Sequence, residues 1–151
     1  MQWLVVIHVL SAIVGLGPAY AFPLLLKKEK SVSEADRAAK LVARLEVFPK
    51  IFGTLAFVSG LVLFWLGSYG SLLSLWLIGT LLLYGVIEAI VIGFLAPAAK
   101  KLSFALQNQA EKGDAELDAP SAMLFRKVRN LHIAVTVLST FIVGLMIMKP
   151  V

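Results

Sequence analysis

A single carboxylate stands deep inside a long apolar run. Glu88 lies within Leu72–Ala99, and the paired Lys100 and Lys101 that close the run are about 12 residues further on, about 18 Å at helical rise. That depth is near the middle of a bilayer, where an ionisable group is costly and marks a ligand site, an ion path or a proton relay. Tyr84, one turn earlier, can hydrogen-bond it. Counted by depth from the same face, Tyr20, Ser59, Thr136, Ser139 and Thr140 come into that middle layer. The expected site is a polar midplane pocket of these residues, binding or passing a small ligand or a proton. A plainer reading leaves Glu88 as a neutral carboxyl that only donates a hydrogen bond.

The histidines carry a second possible chemistry. His8 falls near one end of its apolar run and His132 near the opposite end, so the two cannot ligate one haem iron together. Met146 shares a helical face with His132 and reaches the layer of His8, giving a His/Met pair with ligand types suited to haem b or copper. A lone histidine on a membrane helix more often packs through a hydrogen bond. The chain has no cysteine, which excludes disulfides, thiolate metal sites and cysteine nucleophiles. It also lacks H-E-x-x-H, a phosphate-binding glycine loop and a serine elbow. Gly15-Leu16-Gly17 follows no strand and is no dinucleotide fingerprint, so an enzyme is the less expected class and stays open.

These residues sit in a chain of 151 residues that is 60% hydrophobic, with mean hydropathy +0.90, well above the apolar share of soluble domains. Four stretches reach the length that crosses the hydrocarbon core: Trp3–Leu26, Phe48–Leu66, Leu72–Ala99 and Leu131–Met148. The expected fold is all-α, a single integral membrane domain over residues 1–151, built as a four-transmembrane-helix bundle. Met1-Gln2 offers no basic start and the first apolar run is too long for a signal peptide, so it is kept as a span. That span contains Pro18 and Pro23, which free backbone carbonyls; in hydrocarbon these must be satisfied by neighbouring helices or hydroxyl groups. His8, Ser11, Ala12, Gly15, Ala19 and Phe22 share one face of it, and Gly53, Ala56, Gly60 and Gly67 form a row on the second, so the two should pack closely.

Charge orients the bundle. The first connection holds Lys27, Lys28, Lys30, Arg37, Lys40 and Arg44, the third holds Lys100, Lys101, Lys112, Arg126, Lys127 and Arg129, and Gly67–Ser71 between them holds none. The bias places both basic connections in the cytoplasm and both termini outside a cell membrane, with Trp3, Trp65, Tyr69 and Trp76 as an outer aromatic belt. The net charge of +5 reads as this bias and as contact with anionic lipid, not as nucleic-acid binding. Ser33-Glu34-Ala35-Asp36 opens a short amphipathic helix expected along the inner surface, while Asn108–Pro120 reads as a mobile linker between helix extensions. Those overhangs could dock a partner protein, and four spans leave side surface for a homo-oligomer.

I-H-V-L-S-A-I-V-G-L-G at Ile7–Gly17, A-x-x-L-V-A-R at Ala38–Arg44 and F-G-T-L-A-F-V-S-G-L-V-L at Phe52–Leu63 resemble the predicted integral membrane family catalogued as domain of unknown function 2269. The resemblance implies a four-span membrane protein without an established activity. More distantly, Ile7–Pro23 is similar to the first helix of copper-resistance D proteins and of the haem-containing membrane protoporphyrinogen oxidase, with His8 and Tyr20–Pro23 at comparable places. That pattern expects an arginine after the proline and a basic residue in a later span. Leu24 and Glu88 stand there instead, so the oxidase activity is not carried over.

Overall fold

The computed structural model describes residues 1–27, 31–67 and 74–149. Its elements are α1 (Gln2–Leu25), α2 (Val32–Leu45), α3 (Val47–Leu66), α4 (Leu75–Ile90), a π-helical turn at Val91–Leu95, α5 (Ala96–Lys112) and α6 (Ala119–Met148). Four continuous helical runs are long and apolar enough to cross a membrane: Gln2–Leu25, Val32–Leu66, Leu75–Lys112 and Ala119–Met148. The all-α, four-helix architecture is thus the one the hydropathy pattern requires. Lys28, Lys30, Tyr69, Ser71 and the expected start of the third span at Leu72 lie outside the described residues.

The spans pack as two antiparallel hairpins, α1 on α3 and α4 on α6, joined through α1 on α6. Between α3 and α4 the rings of Phe57 and Tyr84 stack, with centroids 4.5 Å apart and planes 9° apart. Trp3, Trp65 and Trp76 stand at one end of the helices, where the Lys149 ammonium lies 5.7 Å from the Trp76 ring centroid. The lysine and arginine connections gather at the other, here called the basic end. Large apolar side chains remain exposed on every span, among them Ile13, Ile51, Val58, Leu82, Phe141 and Ile147. A surface of that kind is stable only against lipid or protein.

The densest core is at the basic end. Leu26, Val32, Ala35, Val42, Leu102, Leu106, Phe125 and Val128 are all buried together, so the last turn of α1, all of α2, α5 and the first half of α6 form a helical cap. The amphipathic segment is helical, but it begins two residues earlier than expected, with the Ser31 hydroxyl accepting the Glu34 N–H at 3.2 Å. Its apolar face packs on α5, and it runs into α3 through Glu46 alone, which keeps helical dihedrals (φ −60°, ψ −15°). Buried Ala35 and Val42 explain the difference: their face is taken by a helix. The linker is also shorter than Asn108–Pro120. α5 continues to Lys112 and ends at Gly113 in the left-handed region (φ 79°), a conformation glycine adopts freely. The chain then returns past α2, where Val32 N–H donates to the Ala115 carbonyl at 3.1 Å.

Asp118 starts α6 by accepting the Ser121 N–H at 2.8 Å. Hydrogen bonds from the Ser121 side chain and backbone, with Lys112 nearby, hold its carboxyl below the ordinary value of 3.8. A depressed carboxyl contributes stability that is complete above its unfolded value and disappears as pH falls through its folded value. Acid titration of the purified protein should therefore lower the thermal midpoint in that window. Asp118→Asn keeps the capping acceptor without the charge, so the same titration should lose that step.

Candidate functional site

Where α1 meets α3, Gly15 lets the backbones touch: a Cβ added there would lie 3.0 Å from the Gly53 nitrogen and 3.2 Å from the Phe52 carbonyl carbon. Towards the tryptophan end of the same seam, His8 Nδ1 is 2.8 Å from the Ala56 carbonyl. A carbonyl only accepts, so Nδ1 carries the proton and Nε2 presents its lone pair. The Ser59 hydroxyl is 3.3 Å from Nδ1 and donates to the Leu55 carbonyl at 2.7 Å. Ser59 therefore belongs with His8 and not with Tyr20, which is about 18 Å further along α1.

The α1–α6 seam answers the proline problem at Pro23. Pro23 has no N–H to give the Ala19 carbonyl, and the Thr136 hydroxyl reaches that carbonyl at 3.3 Å while also lying 2.8 Å from the His132 carbonyl. One turn on, the Tyr20 and Thr140 hydroxyls are 3.1 Å apart. Ser139 is buried on the same helix. Thr140 also lines an apolar groove of about 370 Å³ with Phe141, Gly144 and Met148, so this polar pair borders the lipid-facing surface.

Glu88 approaches from α4. A Cβ on Gly79 would touch Leu145 of α6 at 3.0 Å; nine residues further along the antiparallel pair, Glu88 comes level with Thr136. Glu88 and Tyr84 are both half-buried, one helical turn apart, and the Tyr84 ring stacks on Phe57. Immediately beyond, the helix widens: the Val91 N–H is shared by the Glu88 and Ile87 carbonyls, and the Ala96 N–H bonds back to Val91. Such π turns loosen the ladder and occur often at functional sites. The structure thus brings Tyr20, Thr136 and Thr140 together, sets Glu88 and Tyr84 at the same depth on α4, and leaves Ser59 with His8.

For haem or copper, His8 has the tautomer that a ligand needs. No described contact joins it to Met146, which is half-buried on α6, and among the described residues no three His, Asp or Glu side chains form a metal-holding group. His8 supplies one ligand at most.

One polar contact was not foreseen. His132 is 4% exposed, presents its ring edge-on to Phe22 with centroids 5.0 Å apart, and holds Nε2 3.6 Å from Glu46 Oε1. Glu46 also pairs with Lys50 at 3.2 Å. In sequence Glu46 is one more charge in a connection; its position at the α2–α3 joint is what brings it near His132.

A family model described as "Predicted integral membrane protein (DUF2269)" matches residues 2–150. No curated protein and no solved structure matches the chain.

Proposed function

We propose, for a chain that belongs to the DUF2269 family of predicted integral membrane proteins, that its four spans bind or conduct a proton or a small ligand at Glu88. The observation that carries this reading is the placement of that carboxyl. It is the one charged residue of Leu72–Ala99, Tyr84 stands one turn before it on the same helix, and it lies level with the α6 hydroxyls beside a π turn. A carboxyl with a phenol partner in a low-dielectric layer can take up and release a proton, or bind a cationic or hydrogen-bonding ligand. Thr136, Thr140 and Tyr20 supply the neighbouring donors and acceptors. The basic cap faces the cytoplasm and the tryptophan end faces outward, as the distribution of Lys and Arg supports.

The test is proton flux into liposomes carrying a trapped pH dye under an imposed pH gradient. The native chain should exceed empty liposomes, Glu88→Gln should lower the excess at least about tenfold by removing the exchangeable carboxyl, and Glu88→Asp should retain part of it. Equal rates for native and Glu88→Gln would remove the reading.

A second reading, one axial ligand to haem or copper, is favoured only by the orientation of His8 towards Ala56. A Soret band or bound copper that disappears in His8→Ala would establish it, and protein that takes up neither would end it.

A further inference from the structure

A groove of about 820 Å³ runs along α2, with Arg37, Lys40, Leu41 and Arg44 on its wall and Gly113 and Asp114 at one end. Asp36 also lines it, and its carboxylate pairs with Lys40. Arg37 and Arg44, two turns apart and both exposed, have no carboxylate within ion-pair distance among the described residues. They present two guanidinium forks on one helix face, a geometry suited to phosphate oxygens.

What lies above those arginines identifies the occupant. Glu46 keeps helical dihedrals, so α2 and α3 share one helical phase. From Arg37 the face reads Leu41, Arg44, Phe48, Ile51, Leu55 and Val58, at alternating steps of three and four residues. Phe48, Ile51, Leu55 and Val58 are 41%, 58%, 42% and 49% exposed. An exposed apolar stripe therefore descends the span and ends on Arg44, then Leu41, then Arg37. A free phosphate would use only the lower part of this face. A molecule with an apolar tail and an anionic head would use all of it.

We propose that this face is a binding site for an anionic phospholipid, its acyl chain along Phe48, Ile51 and Leu55 and its phosphate between Arg44 and Arg37. Lys40, held by Asp36, is secondary, and Asp114 limits how far a head group extends along the groove. The site is independent of Glu88, since α2 lies at the basic end and the Glu88 layer is within the spans.

Native mass spectrometry of the detergent-purified chain, titrated with phosphatidylglycerol or phosphatidylcholine, reads the site directly. Phosphatidylglycerol should bind saturably and more tightly than phosphatidylcholine, and Arg37→Gln with Arg44→Gln should weaken it at least about tenfold, the loss expected for hydrogen bonds to a charged group. The paired change Arg126→Gln with Lys127→Gln removes the same charge from an exposed part of α6 and should leave the affinity within about twofold, as expected for exposed charges that make no direct contact. Inorganic phosphate or glycerol phosphate, added alone at the same concentration, should not compete. Three results would each overturn the proposal: no preference for the anionic lipid, equal loss in the α6 control, or full competition by soluble phosphate. The variants change exposed side chains only, and an unchanged thermal midpoint in phosphatidylcholine confirms that they are folded.

Discussion

Replacing Gly15 by valine should cost about 3 kcal/mol, the upper part of the range for overpacking, and should split α1 from α3. The added Cβ would meet the Gly53 nitrogen and the Phe52 carbonyl carbon at 3.0 and 3.2 Å. Both are backbone atoms, so no rotamer change relieves the contact and one whole helix must retreat. Membrane helices associate through such close packing because lipid offers no hydrophobic drive between them. Gly17 is the internal control. A Cβ there meets no atom of another segment within 4 Å, and Gly17→Ala should cost under about 1 kcal/mol, the gain in helix propensity offset by the crowding that a Cβ meets directly before Pro18. Gly60→Ala falls between the two, since its Cβ would sit 2.9 Å from His8 Cε1 and a side chain can turn away. Denaturant unfolding in mixed micelles ranks the three, and a Gly15→Val protein as stable as Gly17→Ala would refute the packing of this seam.

The second large effect is conditional on another residue. Thr136→Val leaves the Ala19 carbonyl without its hydroxyl donor and should cost about 1–2 kcal/mol, the penalty for an unsatisfied buried acceptor tempered by what membrane proteins show. In a Pro23→Ala background, residue 23 regains an N–H that can take the same carbonyl in the ordinary helical pattern. Thr136→Val should then cost little. A double-mutant cycle on unfolding midpoints measures this coupling; if the two changes simply add, the threonine is not compensating for the proline.

Much of this arrangement was legible in the residue pattern. The face of α1 that carries Ser11, Gly15, Ala19 and Phe22 is the buried one, because small residues at helical spacing leave room for a neighbouring backbone and little else does. The proline in a span called for an outside hydroxyl, and Thr136 provides it. Depth was harder. Counting from the nearest charged connection measures distance from a helix end, and α1 continues below the spans until Leu26 is fully buried in the cap. Gly15 facing Gly53 fixes the true register, which separates Tyr20 from Ser59. The amphipathic segment was clear as a helix, but its apolar face could serve a membrane surface or another helix equally well. Only the third span, continuing into α5, decides between them. Glu46 beside His132 had no local signal at all, since 86 positions separate them in the chain and only the fold brings them to 3.6 Å.

The Thr136 hydroxyl and the Ala19 carbonyl are 117 residues apart in the chain, which fixes an order of events during synthesis. At the usual pace of elongation, roughly 5–20 residues per second, α1 reaches the bilayer roughly ten seconds before the residue that completes it is made. Phe125 and Val128, which fill the cap core, emerge equally late. For that interval the nascent protein holds a proline-opened helix in lipid and an unfilled cap at its basic end. This stretch of time is when an insertion factor or a premature stop would matter most, and a chain ending before α6 would be left with both defects permanently.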